Sequence, residues 1–471
     1  MEGITENKEH TSPDKALVVL CTAAFLVPFM GSSLNLALPE IARDFKIDAV
    51  TLTWMSTAYI ITTAIFQIPA SRVADIVGRR KIFELGVAIF TICTFMCGFA
   101  VNEVMLLTLR ALSGAGSAMM FGTNLAIISS LFPPEKRGRA LGINSAVVYA
   151  AAAAGPFLGG MMTHYLGWHM IFFVSAGVGV MVFVMSRIFI KGDWVEAWGE
   201  SFDLLGSVMY GIGLAGVIYG FSSLPKTHGV VSLGVGIAAF ALFAVYELRH
   251  KSPVFNLRLF SGNRVFSLSS LAALINYAAT SAIGFILSLY LQYIRGLDAS
   301  HAGMILISQA LVQSVFSLVA GGLSHRFAPW KMATAGMAVI VVGILCLTFL
   351  SETTPYWMIV GILMMLGMGF GIFSSPNANV IMGSVGKADY SAASATTGTV
   401  RLTGQAVSMG IASLAISLHI GNRQIVPELY PSFMESMRTT FVVFVVLCSI
   451  GIYAAAARNR SAGRRHREQK S

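Results

Sequence analysis

Fourteen long apolar runs, separated by short polar segments, restrict the folds that this sequence can adopt. They cover about 17–38, 52–71, 82–101, 104–130, 139–162, 168–189, 204–222, 230–247, 264–293, 302–323, 331–350, 356–383, 390–418 and 438–457. An α-helix rises 1.5 Å per residue, so about 20 apolar residues are enough to cross the hydrocarbon core of a bilayer. The runs therefore predict an all-α integral membrane protein with fourteen transmembrane spans.

The composition agrees with a membrane protein. Of the 471 residues, 55% are hydrophobic and only 11% are charged, whereas about 25% of the residues in a typical soluble domain are charged. The 46 glycines suit close helix packing in lipid. All five cysteines lie within apolar runs without a C-x-x-C spacing, which predicts buried apolar side chains and no disulfide or metal site.

The distribution of Lys and Arg predicts the orientation of the chain. With the N-terminus in the cytoplasm, 24 of the 32 cations fall on the cytoplasmic side and 6 on the outer side. This excess follows the positive-inside rule and predicts that both termini are cytoplasmic. The net charge of +10 arises from the same short loops and from one tail. We therefore predict contact with membrane lipid and no nucleic-acid partner.

The charged segment 71–81, between the second and third runs, reads SRVADIVGRRK. Its residues Asp75, Gly78, Arg79 and Arg80 match the signature loop of the major facilitator superfamily, G-x-L-A-D-R/K-x-G-R-R/K, which the segment resembles. The resemblance implies a cytoplasmic gate in which Asp75 pairs with a nearby cation or a helix N-terminus. The alternative interpretation is an ordinary positively charged cytoplasmic loop.

Further segments match, in their order and spacing, one branch of that superfamily. They are LNLALP at 34–39, Trp54 and Tyr59, RALSGAG at 110–116, RGRALG at 137–142, GPFLGG at 155–160, FDLLG at 202–206, LRLF at 257–260 and TVR at 399–401. Together they resemble the fourteen-helix drug:proton antiporter family, the group of the QacA and EmrB exporters, over about 17–457.

The resemblance implies a major facilitator fold with two six-helix halves, at 17–189 and 264–457. Two additional helices at 204–247 would lie between the halves. A cytoplasmic segment would precede them at 1–16, and a basic cytoplasmic tail would follow at 458–471. A faint internal repeat fits this division, because residues 321–331 echo the signature loop, with His325 in place of the Asp.

The GPFLGG segment resembles the antiporter motif of the family. Pro156 interrupts the helix hydrogen-bond ladder, and Gly155, Gly159 and Gly160 allow a neighbouring helix to come close. The resemblance implies an interface that favours export. An ordinary packing face of small residues is the alternative.

Two arginines lie within apolar runs, where a charge is costly unless it faces a cavity or a partner. Arg110 lies about 9 Å from the outer end of its predicted helix, at a depth similar to Asn35 and Tyr59. The resemblance places this Arg in the proton-coupling or substrate region; an Arg that snorkels to the interface is the alternative. Arg401 lies mid-helix and either binds an anionic group or clamps helix carbonyls.

Neutral polar residues in the C-terminal half supply the remaining candidates for substrate contact. They are Asn276, Tyr277, Gln309, Gln313, Asn377 and Asn379. Each is also compatible with a hydrogen bond that only holds two helices together.

The acid expected in the pathway of a proton-coupled pump is missing. The related pattern has Asp in the first helix, where this chain has Met30, and none of the 22 Asp and Glu residues lies mid-span. A cationic substrate would need such an acid, so we predict a neutral or anionic substrate.

We predict a monomeric, multi-pass secondary transporter of the cell membrane that exports small organic compounds. It would work by alternating access, with the proton as coupling ion and no other cofactor. An importer or uniporter of an organic anion is one alternative, and a non-transporting membrane receptor or scaffold is another. No carboxylate pair, His cluster or nucleotide loop lies at a depth that suits a membrane enzyme.

Overall fold

Apolar runs and capping residues together set the helices of this chain. A computed structural model describes residues 12–224, 226–250, 260, 262–323, 326–386 and 390–468. The helices are α1 Pro13–Phe45, α2 Ala49–Val77, α3 Arg79–Cys97, α4 Glu103–Leu131, α5 Pro134–Leu166, α6 His169–Phe189, α7 Leu204–Ser223, α8 Thr227–Glu247, α9 Arg264–Ala278, α10 Ile283–Leu289, α11 Ala299–Leu323, α12 Pro329–Leu347, α13 Tyr356–Gly383, α14 Tyr390–His419 and α15 Tyr430–Glu468. A π-helical turn, Tyr290–Ile294, follows α10, and a 3₁₀ turn, Pro427–Leu429, precedes α15.

Polar residues begin several of these helices. Asp48 accepts hydrogen bonds from the amides of Val50 and Thr51 at the start of α2. Asn102, Asp203 and Asn263 cap α4, α7 and α9 in the same way. These side chains satisfy backbone donors that the first helical turn leaves free.

Twelve of the helical segments are long and apolar enough to cross a membrane. The prediction of an all-helical, multi-span membrane protein is therefore confirmed. Helices α3 and α14 are not among the twelve. Helix α3 has 19 residues that include four charged side chains near its start, and α14 carries Arg401 and many Ser and Thr residues. The fourteen-span count therefore stays a prediction.

The run 264–293 forms a broken rod rather than the single helix that its sequence predicts. Helix α9 ends at Ala278, and α10 begins at Ile283 after an irregular segment. The amide of Ala282 in this break donates its hydrogen bond to Ser408 Oγ of α14 at 3.0 Å. The neighbouring helix thus replaces the bond that the interrupted ladder lacks.

Successive helices run in alternate directions between two faces of the bundle. The N-terminal face is the one where α1 begins, and the distal face is the one where α1 ends. Contacts agree with this alternation: Trp168, which precedes α6, donates to Asp44 near the end of α1 at 2.7 Å. Arg187, near the end of α6, pairs with Glu84, near the start of α3, at 2.9 Å.

Helices α1–α6 pack mainly on one another, as do α9–α15. The two groups meet mainly along two seams, α5 against α11 and α2 against α14, and α1 makes a smaller contact with α10. Helices α7 and α8 pack against each other, and α7 lies against both α2 and α14. The predicted boundaries of the two halves and of the 204–247 pair remain predictions. Residues 1–11 and 257–259, His325 and the tail residues 469–471 lie outside the described residues.

Candidate functional site

The arginine of α4 is enclosed within the first helix group. Only 1% of the surface of Arg110 is exposed. Its guanidinium lies 4.3 Å from the centroid of the Tyr59 ring, and its Nε donates to the Met55 carbonyl at 3.3 Å. The Tyr59 hydroxyl in turn shares a hydrogen bond of 2.6 Å with Ser117. Arg110 therefore does not snorkel to the interface, and its role in coupling stays a prediction.

The arginine of α14 has different surroundings. Arg401 is partly exposed, and its guanidinium lies 4.9 Å from the centroid of the Phe121 ring of α4. Within the described ranges, no carboxylate pairs with it and no hydrogen bond satisfies it. Tyr277 of α9 lies close enough to Tyr149 of α5 and to Arg401 to interact electrostatically with both. Aromatic residues of both helix groups thus lie near Arg401, with the Phe121 ring in contact and Tyr277 within range of its charge.

The helix break lies beside Tyr277. Asn276 and Tyr277 form part of the last turn of α9, directly before the irregular segment. The Asn276 side chain is 1% exposed, and neither of its amide atoms has a hydrogen-bond partner in the part of the chain that the structure describes. Discontinuous helices often form the substrate sites of transporters, because they leave polar groups available at mid-membrane. We call Arg401, Phe121, Tyr149, Tyr277 and Asn276 the central site.

The other polar candidates lie at contacts between helices. The Asn35 side chain accepts from Ser56 at 3.2 Å, and Asn377 donates to the Ser269 carbonyl at 3.2 Å. Gln309 lies where α11 meets α13, at a close approach to Gly367. These contacts fit the interpretation that each residue holds two helices together, and substrate contact by them stays a prediction.

The antiporter motif faces two helices at once. A Cβ at Gly155 would collide with Ser32 of α1, and a Cβ at Gly159 would lie 2.6 Å from Ser33 Cα. On the opposite side of α5, Gly160 and Pro156 pack against the backbone of α11 around Ala299 and Gly303. The motif therefore forms the distal part of the seam between the two helix groups.

Among the described residues, the hydrogen bonds that join the two helix groups lie toward the distal face. Ser288 donates to the Asn35 carbonyl at 2.7 Å, and Gln292 donates to the Leu36 carbonyl at 3.2 Å. The Thr53 and Ser413 hydroxyls share a hydrogen bond of 2.9 Å across the α2–α14 seam. The amide of Ala49 reaches the Arg423 carbonyl at 2.9 Å. The two groups are thus joined at the distal face.

The signature loop binds the segment 190–203, which connects α6 to α7. The Arg79 side chain, 4% exposed, donates to Asp75 at 2.8 Å and to both carboxylate oxygens of Glu196 at 2.6–2.7 Å. The Asp75 carbonyl accepts from the amides of Glu196 and Ala197. Asp75 therefore pairs with a nearby cation, as the gate interpretation expects, although the rest of the gate's role stays a prediction.

The remaining residues of the loop are fixed by the same segment. Gly78 has a φ of +129°, a conformation that L side chains rarely adopt, and a Cβ there would collide with Asp193. The amide of Arg80 donates to that Asp193 carboxylate at 2.9 Å, while its side chain donates to Glu84 at 2.8 Å. These partners could not be predicted from the sequence, because Asp193 and Glu196 are more than 100 residues away from the loop in the chain.

Sequence reasoning also missed Phe121 and Tyr149 of the central site. Both are aromatic residues within apolar runs, where they look like ordinary lipid-facing or core side chains. Under the predicted topology both lie at about the same membrane depth as Arg401, and this shared depth could have indicated that they belong to one site.

Comparison with known proteins shows which family this chain resembles. The family model described as Major Facilitator Superfamily matches residues 20–409 and again 269–470. The cephamycin export protein CmcT of Amycolatopsis lactamdurans is 31% identical over 414 residues, which are 84% of this chain and 83% of that protein. The riboflavin transporter RibZ of Clostridioides difficile is 28% identical, over 78% of this chain and 80% of its own. The methylenomycin A resistance protein of Bacillus subtilis is 27% identical, over 88% and 90%.

The fold is also similar to solved structures. A bacterial homologue of the human lysosomal transporter Spinster, in an inward-facing and unoccupied conformation, superposes with a TM-score of 0.66. Their sequences are 18% identical, and the alignment covers 95% of this chain and 97% of that one. At this identity the likeness establishes the fold alone.

Proposed function

The chain belongs to the Major Facilitator Superfamily of membrane transporters, and from that premise we propose that it exports small organic compounds by alternating access. Two relatives support export, since one is named as a cephamycin export protein and another as a methylenomycin A resistance protein. The proposed protein is a monomer in the cell membrane, coupled to the proton gradient and without any other cofactor.

We propose a fourteen-span arrangement with both termini in the cytoplasm. The N-terminal face of the bundle is then cytoplasmic, and the distal face is the outer face. The alternating directions of the helices support this arrangement, as does the excess of Lys and Arg on the N-terminal face. Helix α3 crosses the membrane with its four charged residues near the cytoplasmic end. There Arg79 and Lys81 pair with acids of the segment 190–203, and Glu84 pairs with Arg187 of α6.

The substrate is proposed to be neutral or anionic, and Arg401 carries this proposal. A guanidinium within a membrane span normally pairs with a carboxylate, but within the described ranges no carboxylate pairs with Arg401, whose guanidinium lies 4.9 Å from the centroid of the Phe121 ring. A cation free of acids attracts an anionic group, while the rings of Phe121, Tyr149 and Tyr277 offer apolar faces. The unsatisfied amide of Asn276 supplies a further donor and acceptor.

The conformation supports the alternating-access part of the proposal. Hydrogen bonds join the two helix groups at the outer face, which supports a state in which the outer side is closed to substrate. Export then requires the outer contacts to separate while the cytoplasmic side closes. The signature loop, with Asp75, Gly78, Arg79 and Arg80, is proposed to control the cytoplasmic side through its ion pairs.

Transport in everted membrane vesicles tests the proposal. A proton gradient would be imposed across the vesicle membrane. Uptake into the vesicles would then be measured for matched cationic, neutral and anionic fluorescent compounds. We expect accumulation of neutral or anionic compounds, and we expect Arg401→Gln to reduce transport of the anionic compounds at least tenfold. Arg423→Gln is the matched control, because Arg423 hydrogen-bonds the Ile420 carbonyl within its own loop at the outer face.

Each outcome separates the proposal from its alternatives. Accumulation that does not depend on the proton gradient would indicate a uniporter and contradict a proton-coupled exporter. Active movement in the opposite direction would make the protein an importer. Preferential transport of cationic compounds, unaffected by Arg401→Gln, would refute the assignment of the central site.

A further inference from the structure

A small polar cavity at the outer face lies outside the central site. It has a volume of about 420 Å³ and lies between the ends of α1 and α5 on one side and the start of α11 on the other. Its ionisable lining residues are Glu40, Arg43, His164, Tyr293, Asp298 and Tyr430. Residues of both helix groups therefore meet here in contact with water.

His164 and Asp298 face each other across this junction. The His164 Nδ1 lies 3.9 Å from Asp298 Oδ1, and the two side chains are 39% and 34% exposed. His164 lies one helical turn after Gly160, which packs directly against Ala299. Movement of α5 away from α11 at the outer face would therefore separate the pair.

Helix α11 holds the Asp298 carboxylate in place. The amide of His301 donates to Asp298 Oδ1 at 2.9 Å, and the His301 ring lies 2.7 Å from Oδ2. Partial burial alone would raise the pKa of Asp298, but the hydrogen bonds from His301 and the charges of His301 and His164 lower it overall. Asp298 is thus a fixed anion, and it faces an imidazole, the side-chain type that proteins use as a pH-dependent switch.

The other charges around His164 come from three elements. Helix α1 contributes Glu40, Arg43 and Asp44, of which Asp44 accepts a hydrogen bond from Trp168. Helix α11 contributes His301, which pairs with Asp298. At the start of α6, His169 stacks on Trp168 at 3.7 Å. Acids therefore dominate the immediate surroundings of His164, with Arg43 as the opposing charge.

We propose that this cavity is a proton-binding site in which a proton taken from outside by His164 closes the outer gate. A neutral imidazole at 3.9 Å makes no hydrogen bond with Asp298. Proton uptake makes both ring nitrogens donors and creates an ion pair that links α5 to α11. The inference rests on the proposed orientation, and it concerns the return of an exporter to its inward-facing state rather than the transported proton.

Labelling of a cysteine in the outer seam tests the inference without any substrate. Ser300 is 4% exposed and lies beside Gly160, so Ser300→Cys becomes reactive only when the seam opens. Whole cells carrying this variant would be treated with an impermeant maleimide at external pH 6 and pH 8. Rates in the same background with His164→Gln correct for the intrinsic pH dependence of the reagent.

The expected result is labelling that is at least fivefold slower at pH 6 than at pH 8 after this correction. His164→Arg, with a permanent charge, should label slowly at both pH values, and His164→Gln should label rapidly at both. His169→Gln is the matched control and should keep the response of the parent protein.

An equal pH response in His164→Gln and the parent protein would overturn the inference. Rapid labelling of His164→Arg at pH 6 would do the same. If only a permeant reagent reached the cysteine, the orientation under "Proposed function" would be wrong, whereas a failure of export alone would leave the labelling result intact.

Discussion

The replacement Arg110→Met separates the stabilising and functional roles of the buried guanidinium. Arg110 makes one charged hydrogen bond, to the Met55 carbonyl, and one cation–π contact with Tyr59. These are worth about 1.5–3 kcal/mol and about 2 kcal/mol, or roughly 4 kcal/mol together. Burial of the cation costs several kcal/mol in lost hydration, so the two contributions nearly cancel. Met fills a similar volume without a charge.

We therefore expect Arg110→Met to change the apparent melting temperature in detergent by about 3 °C or less and to abolish coupled transport. Arg110→Ala should melt lower, because it leaves a cavity that costs about 2–5 kcal/mol. The assay combines thermal unfolding with gradient-driven transport in vesicles. A melting temperature about 10 °C lower for Arg110→Met would show that the guanidinium is a structural clamp. Unchanged transport would refute its role in coupling.

Three further predictions concern the seam, the signature loop and the outer face. Gly155→Leu should disrupt the close contact of α5 with α1 and stop transport, while the protein still reaches the membrane. Full transport activity would show that the antiporter motif is not required for function. Glu196→Gln should weaken its ion pair with Arg79 and raise the rate of tryptic cleavage in segment 190–203 about tenfold, with Glu428→Gln as the control. The lowered pKa of Asp298 predicts stability that is present above its unfolded pKa of about 4 and is lost as pH falls through the lower folded value. Asp298→Asn should therefore flatten the acid side of the stability curve, and an unchanged acid slope would exclude this contribution.

Much of the fold could be predicted from the sequence, because span length and charge in loops are local properties. The run at 104–130 predicted α4, which spans Glu103–Leu131, to within one residue at each end, whereas α1 and α15 extend well beyond their predicted runs at 17–38 and 438–457. The break after Ala278 was not predicted. At the break the Ala282 amide donates to Ser408, a residue of another helix, and no pattern within 264–293 reveals that acceptor.

The candidate site was only partly predictable for the same reason. Arg110 and Arg401 were visible as charges within apolar runs, but their surroundings were not. Tertiary packing encloses Arg110 against Tyr59 and leaves Arg401 beside Phe121 without an acid. The sequence gives the cost of a buried charge, whereas only the assembled helices show which charge is already satisfied.

The position of α7 and α8 makes the two seams of the bundle unequal. Helix α7 covers the α2–α14 seam, where Tyr210 donates to the Ala64 carbonyl at 3.3 Å. Ile61, Leu214 and Leu402 pack in the same apolar cluster. The α5–α11 seam has no such cover among the described helices. A compound dissolved in the bilayer thus meets an additional helix pair at the α2–α14 seam, whereas at the α5–α11 seam it meets the two seam helices directly.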